Sequence, residues 1–180
     1  MTAVRVAAYL ALGLGLGALA GIVWWAVVDL PGYVVGDDGG AGITERGLSE
    51  FVAGDAWFCA IGLFVGVGLG LIGWRQFADL GWPLVLLVAA VATIAALVCW
   101  LVGHQLGPTD FVPRLAAARP GDEVPIELTL RARASLLTWP FLAIIPVLLG
   151  SSLGPDDEEP RRAFKRRERS DSAVRESEQG

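Results

Sequence analysis

Between Asp55 and Arg75 lies the stretch AWFCAIGLFVGVGLGLIGW, which carries no charged residue. At 1.5 Å per residue, its roughly 19 residues make a helix of about 29 Å, the thickness of a bilayer core. Lipid offers no hydrogen-bond partners, so a segment of this kind must satisfy its own backbone groups, and a helix does that. Three further charge-free runs occupy residues 6–28, 80–109 and 134–155. Each supplies about 17–23 apolar residues, so the sequence predicts four spans. We place these near 6–28, 54–74, 82–103 and 134–151.

Composition agrees with this. The chain is 54% hydrophobic and only 18% charged, against roughly a quarter charged in soluble domains. The predicted fold class is an all-α membrane protein: a four-transmembrane-helix bundle over residues 1–150, with a small extracytoplasmic cap built from two loops. Residues 151–180 form a polar tail that cannot build a core and is expected to be disordered in the cytoplasm. The net charge of −5 carries little information about partners, because the charges are segregated by segment.

Glycines set the expected packing. Gly62, Gly66 and Gly70 recur every fourth residue in the second span, as do Gly13, Gly17 and Gly21 in the first. Such stripes let helix backbones approach closely in lipid. The expectation is that spans one and two pack stripe to stripe. Span three is rich in alanine (Ala89, Ala90, Ala92, Ala95, Ala96), which also favours close contact. Span four contains Pro140 and Pro146; each removes a backbone donor, and kinks are expected there. Kinked helices serve as moving parts in transporters and also occur in static bundles.

The first span includes Ala18-Leu-Ala20, which resembles a signal cleavage site, but the apolar run continues past it to Val28. An uncleaved anchor is the expectation. Trp24 and Trp25 mark its far end, where indole rings favour the headgroup region, and Trp74 and Trp82 flank the short link between spans two and three. In the first loop, Tyr33–Val35 and residues 41–44 predict a hairpin around a Gly/Asp turn, with Thr44 as the N-cap of a helix bearing Leu48, Phe51 and Val52 on one face. Asp37 and Asp38 read either as a solvated turn or as cation ligands. In the second loop, Asp110 is the expected cap of a short helix over 111–118, with Phe111 and Leu115 on one side. Ile126, Leu128 and Leu130 alternate with polar residues, predicting a strand that pairs with the Tyr33 region; the alternative is that residues 128–133 begin span four as a helix.

Four spans put both termini and the 75–81 link on one side, together with Arg5, Arg75 and the basic tail. Arg46, Arg114, Arg119, Arg131 and Arg133 lie on the other. Counting basic residues, including the tail, puts both termini in the cytoplasm. Five of the seven tryptophans then face outward.

Candidate sites are sparse. Asp55, near the outer entry of span two, and His104, the single histidine, at the end of span three, form a possible polar site for proton relay. The alternative for Asp55 is a pairing with Arg46, Arg131 or Arg133, or exposure to water. Cys59 and Cys99 fall at similar depth; a disulfide is geometrically open to them, and buried free thiols are the alternative. Arg161, Arg162, Lys165, Arg166, Arg167 and Arg169 can contact anionic lipid, an attraction weakened by the acidic block 156–159 and by phosphorylation of Ser170 or Ser172. No phosphate loop, zinc-protease motif or nucleophile elbow occurs. The expectation is therefore no catalytic, metal or cofactor site and no nucleic-acid partner. The expected contacts are the lipid bilayer and either a membrane-protein partner or a second copy.

Four segments carry a resemblance: Glu45-Arg-Gly-Leu-Ser-Glu-Phe-Val-Ala-Gly-Asp55, Leu106-Gly-Pro108, Arg114-Leu-Ala-Ala-Ala-Arg-Pro-Gly-Asp122 and Leu136-Leu-Thr-Trp-Pro140. With these the chain resembles an actinobacterial, Streptomyces-type family of four-pass integral membrane proteins, classed as a domain of unknown function. The resemblance covers most of residues 5–150 and implies an actinobacterial plasma membrane. It implies no activity, substrate or catalytic residue.

Overall fold

A computed structural model describes residues 3–36, 40–43 and 45–153. Asp37, Asp38, Thr44 and the basic tail Arg161–Arg169 lie outside the described residues, as do the side chains of Leu48 and Phe51. The chain divides into two compact units, Met1–Leu148 and Leu149–Gly180. Of the second, only the short helical stretch 149–153 is described.

Four long helices make the bundle: α1 (Ala3–Val27), α2 (Glu45–Phe77), α3 (Pro83–Leu106) and, after a short helix α4 (Phe111–Ala117), α5 (Ser135–Leu153). All four long helices have the length and apolarity to cross a membrane. At 33 residues, α2 is several turns longer than a bilayer core requires. It passes into α3 through a single 3₁₀ turn, Ala78–Leu80, closed by Gly81 at φ 64°. Only glycine adopts that backbone without strain, so this tight antiparallel link depends on it. Pro83 then occupies the first turn of α3, where its missing N–H costs nothing. α1 runs unbroken through Ala18-Leu-Ala20, and α5 through Pro140 and Pro146.

The glycines do bring helices together, but the pairing differs from the expected one. The α1 stripe meets α3: a Cβ on Gly13 would contact Val91, one on Gly17 the Ala95 backbone, and one on Gly21 the Cys99 carbonyl and Val102. The α2 stripe meets α5: Gly62 and Gly66 lie against Trp139, and Gly70 against Ala143 and Pro146. Stripe-to-stripe packing of α1 on α2 is therefore corrected. A groove of glycines is filled by a ridge that has some side chain, and the Ala/Val face of α3 and the Trp139/Ala143 face of α5 supply that ridge.

Where α1 and α2 do touch, larger groups join them. Tyr9 is buried; its hydroxyl donates to the Leu69 carbonyl at 2.7 Å, and its ring meets Phe77 edge-on at 5.5 Å. At the opposite end of the bundle, Phe58 lies between Trp24 and Trp139, with centroids 5.4 and 5.3 Å away. Trp24 is 0% exposed and its Nε1 donates to the Gly54 carbonyl at 2.9 Å. It is a core residue, not the interfacial anchor expected; that position falls to Trp25, at 44% exposure. Trp82 is 76% exposed beside the α2–α3 link, as a belt residue should be.

The cap holds a three-stranded antiparallel sheet in the order β2–β1–β3, formed by β1 (Gly32–Val35), β2 (Ala41–Ile43) and β3 (Glu123–Pro125). The bundle is thus mostly, not wholly, α-helical. The expected hairpin is present with Tyr33 opposite Ile43. The second-loop strand lies upstream of the alternating 126–130 segment, with Val124 opposite Tyr33. One more backbone bond, from Ile126 N–H to the Pro31 carbonyl at 3.0 Å, follows before the chain leaves the sheet. The alternation beyond it has another cause: Leu128 turns inward to 2% exposure while Thr129 and Arg131 face out.

α4 packs on this sheet through Phe111, whose ring lies 5.4 Å from that of Tyr33. Arg114 fastens it further, donating from Nε to the Thr109 carbonyl at 2.8 Å and from a terminal nitrogen to the Pro125 carbonyl at 2.9 Å. Asp110 does not cap with its side chain, as expected from sequence; its φ is 58°, and its backbone carbonyl accepts from Arg114 N–H instead. Its carboxylate takes a hydrogen bond from the Thr109 hydroxyl.

Candidate functional site

The polar groups of the bundle gather at its cap end, around the extended strap 128–132 that leads into α5. Two glycines on α3 and just beyond it shape the seat. Gly103 leaves room for the Trp24 ring, and Gly107 for Leu128, whose Cβ would lie 2.9 Å from a Cβ at that position. With Leu128 lodged there, its carbonyl comes 3.0 Å from His104 Nδ1. A carbonyl can only accept, so Nδ1 carries the proton. The imidazole also stacks on Trp100, with centroids 6.4 Å apart and planes 19° from parallel.

Asp55 grips the other end of the strap. Its two carboxylate oxygens accept from the backbone N–H groups of Arg131 at 3.2 Å and Ala132 at 2.9 Å. A turn follows at once, with the Ser135, Leu136 and Leu137 N–H groups bonding to the carbonyls of Ala132, Arg133 and Ala134. Asp55 therefore caps the approach to α5 from a different helix, about where a carboxylate favours the positive end of a helix dipole.

Asp55 and His104 thus hold one strap at two points, and neither bonds to the other. The relay pair read from sequence is not formed. From this segment Asp55 accepts main-chain hydrogen bonds, the N–H of Arg131 included; the Arg46 side chain lies outside the described residues. Sequence reasoning missed this because main-chain donors have no residue-type signature. Replacing Asp55 by Ala should loosen the strap and cost about 1–2 kcal/mol. Asn, which keeps one acceptor oxygen, should recover roughly half. Thermal unfolding in mild detergent gives the comparison, and equal stability of all three proteins would remove the capping role.

The cysteines serve different seams. Cys59 lies 3.7 Å from the Thr138 hydroxyl on α5, whereas Cys99 is buried where α3 meets Gly21. Both are free thiols, so no disulfide joins them. Among the described residues, no group of three or more His, Cys, Asp or Glu side chains is placed to hold a metal ion.

Between α3, the strap and α5 lies a cleft of about 630 Å³, lined by Trp100, His104, Thr129, Leu130, Arg133 and Leu136. Nothing in the sequence marks it, because its walls come from three separated segments.

Four long apolar helices, locked through small residues and carrying a sheet-containing cap, define a multi-pass helical membrane protein. No protein-family model, curated protein or solved structure matches the chain.

Proposed function

We propose that the protein is a non-enzymatic scaffold or accessory subunit of a bacterial cell envelope, held in the plasma membrane with both termini in the cytoplasm. The resemblance to the actinobacterial four-pass family favours that setting. One observation carries the reading: α1 has a second small-residue stripe. Ala3, Ala7, Ala11 and Gly15 recur every fourth residue and are all exposed. A Cβ on Gly15 would meet nothing within 4 Å, whereas its neighbours Gly13 and Gly17 are occupied by α3. A small-residue ridge open to lipid is the kind of face on which another transmembrane helix packs closely.

The test is Gly15→Ile. It places a bulky, apolar side chain in open space, so the isolated protein should keep its stability. Recovery of a co-purifying membrane partner, or of a homo-oligomer, after in-cell crosslinking should fall several-fold. Unchanged recovery would move the contact elsewhere; a clean monomer in both proteins would remove the scaffold reading.

The alternative is a small transporter or permease subunit, favoured by Pro140 and Pro146 inside α5. Asp55 adds little to it, because both of its oxygens accept backbone bonds. Loss of a transport phenotype in Asp55→Asn, with the fold retained, would put this reading first.

A further inference from the structure

We propose that the cleft between α3, the strap and α5 is a binding site for a single anionic phospholipid. The inference rests on the chain residing in a bilayer and does not depend on the partner reading above. The cleft lies at the cap-side ends of two candidate membrane spans, α3 and α5, and the ends of spans are where lipid headgroups are met. Its volume of about 630 Å³ is within the range of sites that enclose a small molecule.

Its walls divide by chemistry. Leu130, Leu136 and the face of Trp100 give an apolar side suited to acyl chain and glycerol. Arg133 gives a cation; it is exposed, and its guanidinium has no partner among the described residues. A planar guanidinium takes a phosphodiester through paired, charge-assisted hydrogen bonds.

A second observation is independent of Arg133. The Trp100 Nε1–H is buried and has no hydrogen-bond partner, the only such side-chain nitrogen or oxygen found among the described residues. Buried indole N–H groups ordinarily find an acceptor. A small turn of the indole would bring this N–H to the cleft, where an occupant rich in acceptors, such as the ester carbonyls and phosphate of a phospholipid, would supply one. His104 acts here as a positioning residue. Its Nδ1–H is committed to the Leu128 carbonyl and its ring braces Trp100, so it sets both the strap and the indole that wall the cleft.

Free inorganic phosphate offers the same anionic chemistry but makes no use of the apolar wall. The full-length protein would be reconstituted in nanodiscs of phosphatidylcholine doped with phosphatidylglycerol, then released for native mass spectrometry to count retained lipid. One phosphatidylglycerol should be retained per protein, in preference to phosphatidylcholine. Arg133→Gln should lower that preference about fivefold, the worth of one basic group near a membrane surface. Arg133→Lys should restore part of it, and Arg119→Gln, in the cap, should change nothing. Leu136→Trp, which narrows the cleft and keeps the charge, should reduce retention of any lipid.

Three results overturn the proposal. One is equal retention of the two lipids by the wild type. Another is the same loss from Arg119→Gln as from Arg133→Gln, which would mean diffuse surface charge. The third is displacement of the retained lipid by millimolar inorganic phosphate, with Leu136→Trp without effect, which would assign the cleft to the free ion. Should Arg133→Gln fail to fold, Leu136→Trp and the wild-type phosphate competition decide the matter.

Discussion

Gly17→Val is expected to break the bundle, whereas Gly15→Val, two residues away, is expected to leave the isolated protein at least as stable as the wild type. A Cβ at position 17 would lie 2.5 Å from the Ala95 carbonyl oxygen and 2.9 Å from its Cα. Those are backbone atoms of α3 and cannot rotate aside, so the helices must separate along their whole contact. Overpacking of this kind costs about 3 kcal/mol, the upper end of its usual range, because no side chain can yield. At position 15 nothing lies within 4 Å, and the better helix propensity of a residue with a Cβ acts alone.

The repair is equally diagnostic. Trimming Ala95 to Gly should not rescue Gly17→Val, since the obstruction is main chain. Val91→Ala should rescue Gly13→Ala, because the atom that obstructs position 13 is Val91 Cγ1, at 2.5 Å. Unfolding in mild detergent, followed by circular dichroism, compares these variants. Equal tolerance at positions 15 and 17 would mean that α1 does not lie on α3 as described.

That contrast also marks where sequence reading stops. The number of spans, the short α2–α3 link, the first-loop hairpin and the membrane class are all legible, because each depends on local pattern: a charge-free run, a Gly/Pro turn, a Gly/Asp turn. A glycine every fourth residue likewise announces a close helix contact. It does not name the partner, since the stripe records only the absence of side chains. The partner's identity lies in the complementary ridge, and the alanines of α3 form a weaker pattern than a second row of glycines.

Tryptophan poses a similar ambiguity. Trp24 and Trp25 are adjacent at the end of one apolar run, yet one is sealed in the core and the other faces outward. Their helical phase relative to α2 and α3 decides this, and that phase is a tertiary property. The polar site shows the limit most plainly. Asp55 and His104 are visible as rare ionisable groups near membrane depth, but the main-chain groups of residues 128, 131 and 132 that they bond to are not.

Trp139→Ala should be the other severe substitution, and its remedy lies on the facing helix. Trp139 is 0% exposed, its ring tilted 38° against that of Phe58, with its Nε1 donating to the Phe58 carbonyl at 3.3 Å. A soluble protein losing a buried tryptophan loses both transfer energy and packing. In a bilayer the unfolded helix remains in lipid, so the transfer component is small and the void dominates. The loss should still reach about 3 kcal/mol, because the groove opposite is made of Gly62 and Gly66, which have no side chains to relax into the space.

This predicts a reversal of sign at position 62. In the wild type, a Cβ there would strike the Trp139 indole, so Gly62→Ala destabilises. In the Trp139→Ala background the same methyl enters the void and adds contacts, so Gly62→Ala stabilises. The double-mutant cycle should therefore give a favourable coupling of about 1–3 kcal/mol. Trp139→Phe, which keeps a ring between Phe58 and Gly62 but loses the N–H, should fall between wild type and Trp139→Ala. Simple additivity of Gly62→Ala and Trp139→Ala would mean that α2 and α5 do not meet through this glycine, and the close α2–α5 packing would have to be redrawn.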